Sequence, residues 1–284
     1  MKIGFVFTNY NNSLLSIQAV ESIFFNHGDL DFEIVVVDNA STANEIEIIS
    51  KHFSKPIEKC TIIYNSENIG YFPGLNLGIN HLTSKSKNFD AIVVGNNDLV
   101  FGSVFLALTK RAELLSQFSV LCPNLITLDG VHQNPHVLNG ISRLREIIWD
   151  LCYANFAHSI LITFISNLLR GIVERKDYTE HHIEREIYSG YGACYILSPK
   201  FLNKYKELWA PTFLMGEEFF LTQQLSENDE KMYYVPEILV NHHDHATLSK
   251  IATRKLWNVS RNAHKVYRYF ISPYYLNMDK SKSI

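Results

Sequence analysis

The 284-residue chain predicts an α/β fold, a mostly parallel sheet flanked by helices and interrupted by a helical insert. Three observations carry that prediction. Short apolar runs alternate with stretches of helical periodicity through the first hundred residues. Several runs are almost continuously apolar, as in Ile34-Val35-Val36-Val37 and Ala91-Ile92-Val93-Val94, as strands covered on both faces require. Each run also ends in a polar cluster, and open α/β sheets bind ligands outside the carboxyl ends of their strands.

Ile3 to Phe7 is the first strand, and Thr8-Asn9-Tyr10-Asn11-Asn12-Ser13 is the polar loop after it. Ser13 is expected to cap a helix from Leu14 to Phe25, stopped by Asn26-His27-Gly28-Asp29. Glu33 to Val37 is a second strand, followed by Asp38-Asn39-Ala40-Ser41 and a helix to about Phe53. Thr61 to Tyr64 is a third. Asn68 to Asn80 reads as a turn and helix, with Gly70, Gly74 and Gly78 allowing close backbone approach to a nucleotide or simply to the sheet. The next strand, Ala91 to Val94, leads into Gly95-Asn96-Asn97-Asp98 and the second apolar run Leu99-Val100-Phe101. Asp98 is a hard oxygen ligand and Asn96 a neutral acceptor, a pair suited to a divalent cation that holds a diphosphate. A plain turn is the alternative.

A helix is expected from there to Leu115, then strand or edge at Phe118 to Cys122 and Leu125 to Leu128. From about Val131 to Ser189 the alternation lapses, and this is the insert. Its apolar run, Leu151 to Val173, is interrupted by Asn155, His158, Ser159 and Asn167, unlike a spanning helix. An amphipathic insert, touching a membrane surface or covering a sheet edge, fits better. Strand character resumes from Gly190 to Leu197, and Ser198-Pro199 starts a helix. Glu217 and Glu218 fall in the first turn of a helix through Leu225, where acidic residues also favour the helix dipole. Tyr233 to Pro236 is expected as an edge strand. His242, His243 and His245 flank Asp244, a grouping that favours a metal or phosphate role. A basic-aromatic helix over 250–270 carries Arg254, Lys255, Arg261, Lys265 and Arg268, and 273–284 form a tail. Residues 1–272 are expected to make one domain.

Composition narrows the function. A net charge of −3 gives no basic field for nucleic acid. Cys60, Cys122, Cys152 and Cys194 are widely spaced, so reduced thiols are expected rather than a zinc site or disulfide framework. Met1-Lys2-Ile3-Gly4 runs straight into a strand, so no signal peptide is expected.

The ordered set of motifs resembles the inverting glycosyltransferases of family 2, with the GT-A fold. Thr8-Asn9-Tyr10-Asn11, Asp38-Asn39-Ala40-Ser41, Asn68-x-Gly70 and Gly74-x-Asn76-x-Gly78 come in the family's order. Asn96-Asn97-Asp98 stands for its DxD motif, with Asn96 at the first acidic position. Gly192-Ala193-Cys194, Gly216-Glu217-Glu218 and the His242 cluster with Ser249 follow. The chain looks most like the rhamnosyltransferase-like branch, which builds bacterial surface polysaccharides. The resemblance implies transfer from a nucleotide diphosphate sugar to a glycan or lipid-linked glycan acceptor. It implies Mn²⁺ or Mg²⁺ held by Asp98 and His242, with His243 and His245 as alternatives, and Glu218 as general base ahead of Glu217. Thr8, Asn9, Tyr10, Asp38, Asn39, Ser41, Asn68, Gly70, Asn76, Asn96 and Asn97 are implied around the nucleotide, Arg261 on a phosphate, and Gly192 and Cys194 near the acceptor. A cytoplasmic protein, peripheral at the inner face of the membrane, is the matching expectation. Two rivals are a sugar-phosphate nucleotidyltransferase and a non-catalytic glycan- or membrane-binding module. Thr8 to Ser13 lacks the glycine and basic residue a nucleotidyltransferase loop would carry.

Overall fold

The computed structural model describes residues 1–53, 59–85, 88–169, 179–243 and 253–271. The first part repeats a β–α unit: β1 (Lys2–Asn9), α1 (Ser13–Asn26), β2 (Asp31–Asp38), α2 (Ala43–His52), β3 (Cys60–Tyr64), α3 (Tyr71–Lys85) and β4 (Ala91–Asn96). Then come β5 (Leu99–Phe101), α4 (Val104–Lys110), α5 (Leu114–Gln117), β6 (Val120–Thr127), α6 (Arg143–Ala154) and α7 (Phe156–Leu169). The rest is β7 (Arg185–Ile187), β8 (Cys194–Leu197), α8 (Pro199–Lys204), α9 (Glu217–Ser226), β9 (Met232–His242) and α10 (Thr253–Phe270).

The strands share one sheet in the order β3-β2-β1-β4-β8-β6-β9-β5, with β7 on β9. β3, β2, β1 and β4 run parallel, as do β6 and β9, while β8 is antiparallel to both its neighbours. β1 shows why both faces are covered. Ile3, Phe5 and Phe7 enter one core with Ile17, Val20 and Ile23 of α1, and Val6 enters the other with Phe72, Leu75 and Ile79 of α3. Helix α3 lies close to the strands because a Cβ on Gly78 would come within 2.3 Å of Val6 Cγ1, and one on Gly74 within 2.7 Å of Thr8 Cγ2. Helix–sheet packing therefore accounts for both glycines.

Several sequence expectations change. Tyr233 to Pro236 is no edge strand: β9 runs on to His242 and lies between β6 and β5. The β6–β9 register jumps from Pro123↔Val235 to Asn124↔Leu239, so Pro236 sits in a bulge where no ladder bond is needed. The two pieces expected at 118–128 are the single strand β6. The helix expected up to Leu115 is two short ones, α4 and α5. Ser13 begins α1 rather than capping it, and its hydroxyl donates to Glu45 O. Within the insert α6 and α7 are helical; His132 and Val137 form bridges to Ile126 and Ser189, and β7 joins the sheet. The end of the 151–173 apolar run, Asp244 to Ser249, the start of the 250–270 helix and the 273–284 tail lie outside the described residues.

At the carboxyl ends of β1, β2 and β4 a polar knot replaces the apolar core. Asn9 is fully buried. Its Nδ2 donates to Asp38 Oδ2 (2.7 Å), and its Oδ1 accepts from Ser16 Oγ (2.9 Å) and Asn97 Nδ2 (2.9 Å). Asp38 Oδ1 accepts from the Ser41 amide (2.9 Å). The substitution Asn9→Leu keeps the volume and removes both functions, leaving a buried carboxylate and a buried amide short of partners. It is expected to destabilise the protein by about 3 kcal/mol, lowering Tm by roughly 6–10 °C. Calorimetry on the purified variant checks this, and an unchanged Tm would show the knot to be dispensable.

Candidate active site

The knot fixes what lies on its outer side. Asn97 is turned inward, donating to Asn9 Oδ1, Asn12 O and Ser16 Oγ at 2.8–3.1 Å. Its neighbour Asp98 stands at the start of β5, whose antiparallel register sets Leu99 opposite His242 of β9. The His243 amide donates to Asp98 O (2.9 Å) and ties the two strand ends together. Asp98 Oδ1 then lies 3.2 Å from His242 Nε2, with both side chains buried. On its other ring nitrogen, His242 Nδ1 meets Gln133 Oε1 at 2.6 Å. With Gln133 Oε1 as acceptor Nδ1 is the donor, and Nε2 is the ring nitrogen that faces the Asp98 carboxylate. Asp98 Oδ1 accepts no hydrogen bond. An imidazole nitrogen and a carboxylate oxygen converging in a buried position are a donor set suited to a divalent cation. Among the described residues no group of three or more His, Cys, Asp or Glu side chains could hold a metal. A cation here would draw its remaining ligands from a bound ligand or solvent.

The acidic pair is presented by α9, which starts after Gly216 in the left-handed region (φ 82°). Glu218 lies against Gly192, where a Cβ would meet Glu218 Oε2 at 3.4 Å. His136 Nε2 stands 3.9 Å from Glu218 Oε1. Burial pushes the Glu218 carboxyl up to about 7. Burial and the neighbouring Glu218 charge push Glu217 further, to about 8. Glu217 Oε1 is buried without a hydrogen-bond partner.

Two tyrosines connect the halves. The Tyr191 ring packs edge-on to His136 and to His242, with centroids 5.4 and 6.1 Å away. Tyr71, at the start of α3, donates to Gly192 O (2.9 Å). Its phenol is held well above its ordinary value, first by burial and then by the charges of Glu217, Asp98 and Glu218 among others. Asp98 and Glu218 are therefore brought to one side of the sheet, linked through His242, Tyr191 and His136.

The other sequence-predicted residues divide. Asn39 donates to Gly70 O (2.9 Å) and accepts from Asn65, Asn68 turns back onto the Gly70 amide (3.0 Å), and Tyr10 is exposed. Thr8 pairs with Asn96 across β1 and β4, and the Asn96 amide donates to Ala193 O (2.9 Å). These line the strand ends around the knot with Asp38 and Ser41. Asn76 lies elsewhere, with both ends of its amide bonded to the Leu208 backbone. Cys194 is buried in the sheet, and all four cysteines are free thiols. Arg261 stacks over Trp257 and lines a cavity with residues of α6 and α10. His245 lies outside the described residues.

Sequence reasoning missed the segment from His132 to His136. His132 contacts Asn124, Gln133 orients His242, Asn134 accepts from the Tyr191 amide (2.7 Å), and His136 approaches Glu218. Its only trace in the sequence is the density of His, Gln and Asn inside a region that lacks periodicity.

Comparison with known proteins agrees with this architecture. No curated protein matches the sequence. Among solved structures, GalNAc-T7 with UDP, GalNAc and Mn²⁺ superposes with a TM-score of 0.52 at 11% identity, covering 85% of this chain and 44% of that one. S. aureus TarS 1-349 in complex with UDP-GlcNAc gives 0.53 at 14% identity, covering 94% and 67%. The chain thus spans less than half of the first of these and about two thirds of the second. The fold is that of the GT-A glycosyltransferases, and residues 5–107 match the sequence model of glycosyl transferase family 2.

Proposed function

We propose that this protein transfers a sugar from a nucleotide diphosphate sugar to a hydroxyl of a glycan or lipid-linked glycan acceptor, with inversion. The observation that carries the reading is the Asp98–His242 pair linked through Tyr191 and His136 to the Glu218 carboxylate. The family match over residues 5–107, the UDP-GlcNAc named with the TarS structure and the UDP named with the GalNAc-T7 structure support the donor class. The resemblance to the rhamnosyltransferase-like branch supports a place in bacterial surface polysaccharide synthesis.

Glu218 takes the proton of the acceptor hydroxyl as its oxygen attacks the anomeric carbon from the face opposite the leaving group. The new carbon–oxygen bond forms while the bond to the diphosphate breaks, and the nucleoside diphosphate departs with that electron pair. Asp98 and His242 would hold Mn²⁺ or Mg²⁺, which when bound neutralises charge growing on the diphosphate. Gln133 fixes the imidazole for that role. Gly192 leaves room beside the base, and Tyr191 forms the wall between base and diphosphate. Glu217, neutral near pH 7, keeps a second negative charge away from Glu218.

Four outcomes follow. Glu218→Gln is expected to lower acceptor-dependent release of nucleoside diphosphate by about 10²–10⁴-fold while leaving donor binding intact; wild-type turnover in this variant would falsify the base assignment. With the wild type, the rate should rise with pH through about 7 and then level, as Glu218 loses its proton. Glu217 keeps its proton more readily folded than unfolded, so stability should fall as pH climbs from the ordinary 4.5 towards about 8. Tm measured across that range should decline less steeply in Glu217→Gln. Gln133→Leu should weaken Mn²⁺ binding in the presence of a nucleoside diphosphate by about 10–100-fold in titration calorimetry; unchanged affinity would remove Gln133 from the site.

A further inference from the structure

Helices α6 and α7 carry apolar side chains outward. On α6, Leu144, Ile147, Ile148 and Leu151 recur at the spacing of one helical face, and all are exposed, Leu144 at 68%. The acidic residues of α6 are turned towards α10. Glu146 is buried and accepts from the Tyr267 hydroxyl (3.0 Å), and Asp150 pairs with His264 (2.8 Å) and Arg268 (3.0 Å). On α7, Ile160, Leu161, Phe164, Ile165 and Leu168 are exposed, Phe164 at 66% and Leu168 at 72%. Such an outward face is the reverse of an ordinary surface helix. The 14 described residues of α7 make about 21 Å against about 30 Å of hydrocarbon. Among the described residues no helix is long and apolar enough to span.

Charge identifies what covers this face. Helix α10 is fastened to the hairpin, with the Trp257 indole donating to Cys152 O (3.1 Å) and Arg254 lying over the Phe156 ring at the start of α7. It carries Arg254, Lys255, Arg261, Lys265 and Arg268 and no acidic residue, in a chain whose net charge is −3. Arg261, Lys265 and Arg268 line a cavity of about 460 Å³ beside Asp150 and Tyr153. The acidic residues of the hairpin itself, Glu146 and Asp150, are already engaged with α10. An outward apolar hairpin next to a purely cationic helix matches the two layers of a membrane surface, acyl chains and anionic phosphates. A second copy of this chain would instead bring one cationic helix close to another.

We infer that α6, α7 and α10 form a docking surface for an anionic phospholipid bilayer, with the hairpin in the acyl–headgroup boundary and α10 against the lipid phosphates. The surface does not depend on the chemistry of the candidate active site, so its test needs neither donor nor acceptor. The full chain is floated with vesicles of phosphatidylcholine alone or mixed with phosphatidylglycerol, at low and high salt. Binding is expected to the mixed vesicles, weaker at high salt and much weaker to phosphatidylcholine. Ile148→Ser with Phe164→Ser should lower it by about tenfold. Lys255→Glu with Lys265→Glu should lower it by about fivefold or more. Both pairs sit at exposed positions and should leave Tm unchanged. No binding to the mixed vesicles, equal binding to both compositions, or wild-type binding by the serine pair overturns the inference. So does light scattering that shows a dimer dissolved by the serine pair, with no vesicle binding.

Discussion

Three parallel strands end together, and their ends are tied by one buried amide. Asn9 uses its Nδ2 to hold the Asp38 carboxylate and its Oδ1 to receive Asn97 and Ser16. A hydrophobic residue there would leave β1, β2 and β4 paired by the backbone alone, and would not determine which side chains of the β4–β5 turn face out. The knot makes that choice, because Asn97 inside is fully used while Asp98 meets His242. Burying so many polar atoms is tolerable only when all are bonded, which is why an isolated change in the knot is costly.

The rest of the site depends on β9. Its bulge at 236–238 absorbs a proline and resets the register, so that Leu239 pairs with Asn124 and His242 arrives opposite Leu99. Without those extra residues the imidazole would miss Asp98. The segment from 132 to 136 then closes the same side, fixing His242 through Gln133 and reaching Glu218 through His136. His242 and Glu218 are thus positioned by one stretch of chain that belongs to neither motif.

This explains what was legible. The β–α repeats were readable because burial on both faces imposes long apolar runs, as in β2 and β4. Asp98 and the acidic pair stood out as candidates because apolar residues follow them directly, and His242 because it opens a run of histidines. The roles inside Asn96-Asn97-Asp98 were not: three adjacent polar residues look alike until the turn decides which one faces the core. Asn76 looked like part of a nucleotide motif, yet its contact, Leu208, lies far along the chain. Pro236 ended a strand in the sequence reading, and only the partner strand reveals the bulge. Gln133 and His136 act through contacts with residues more than 80 positions away, a separation no local pattern records.

The outward hairpin and the site also meet. Phe219, next to Glu218, packs against Trp149 of α6 (5.6 Å between centroids) and Tyr267 of α10 (5.5 Å). One aromatic cluster therefore joins the helix bearing the carboxylate to the helices that carry the exposed apolar face and the cationic strip. An acceptor embedded in a bilayer by a lipid anchor has only limited freedom to approach a hydroxyl-activating group. In the proposed reading Glu218 is that group, and the packing of α9 against α6 and α10, rather than across the sheet, would set its height above the lipid phosphates. The packing of Phe219 on Trp149 and Tyr267 supplies that fixed relation, with Glu146 and Asp150 of α6 held by α10 and its leucines and isoleucines outward.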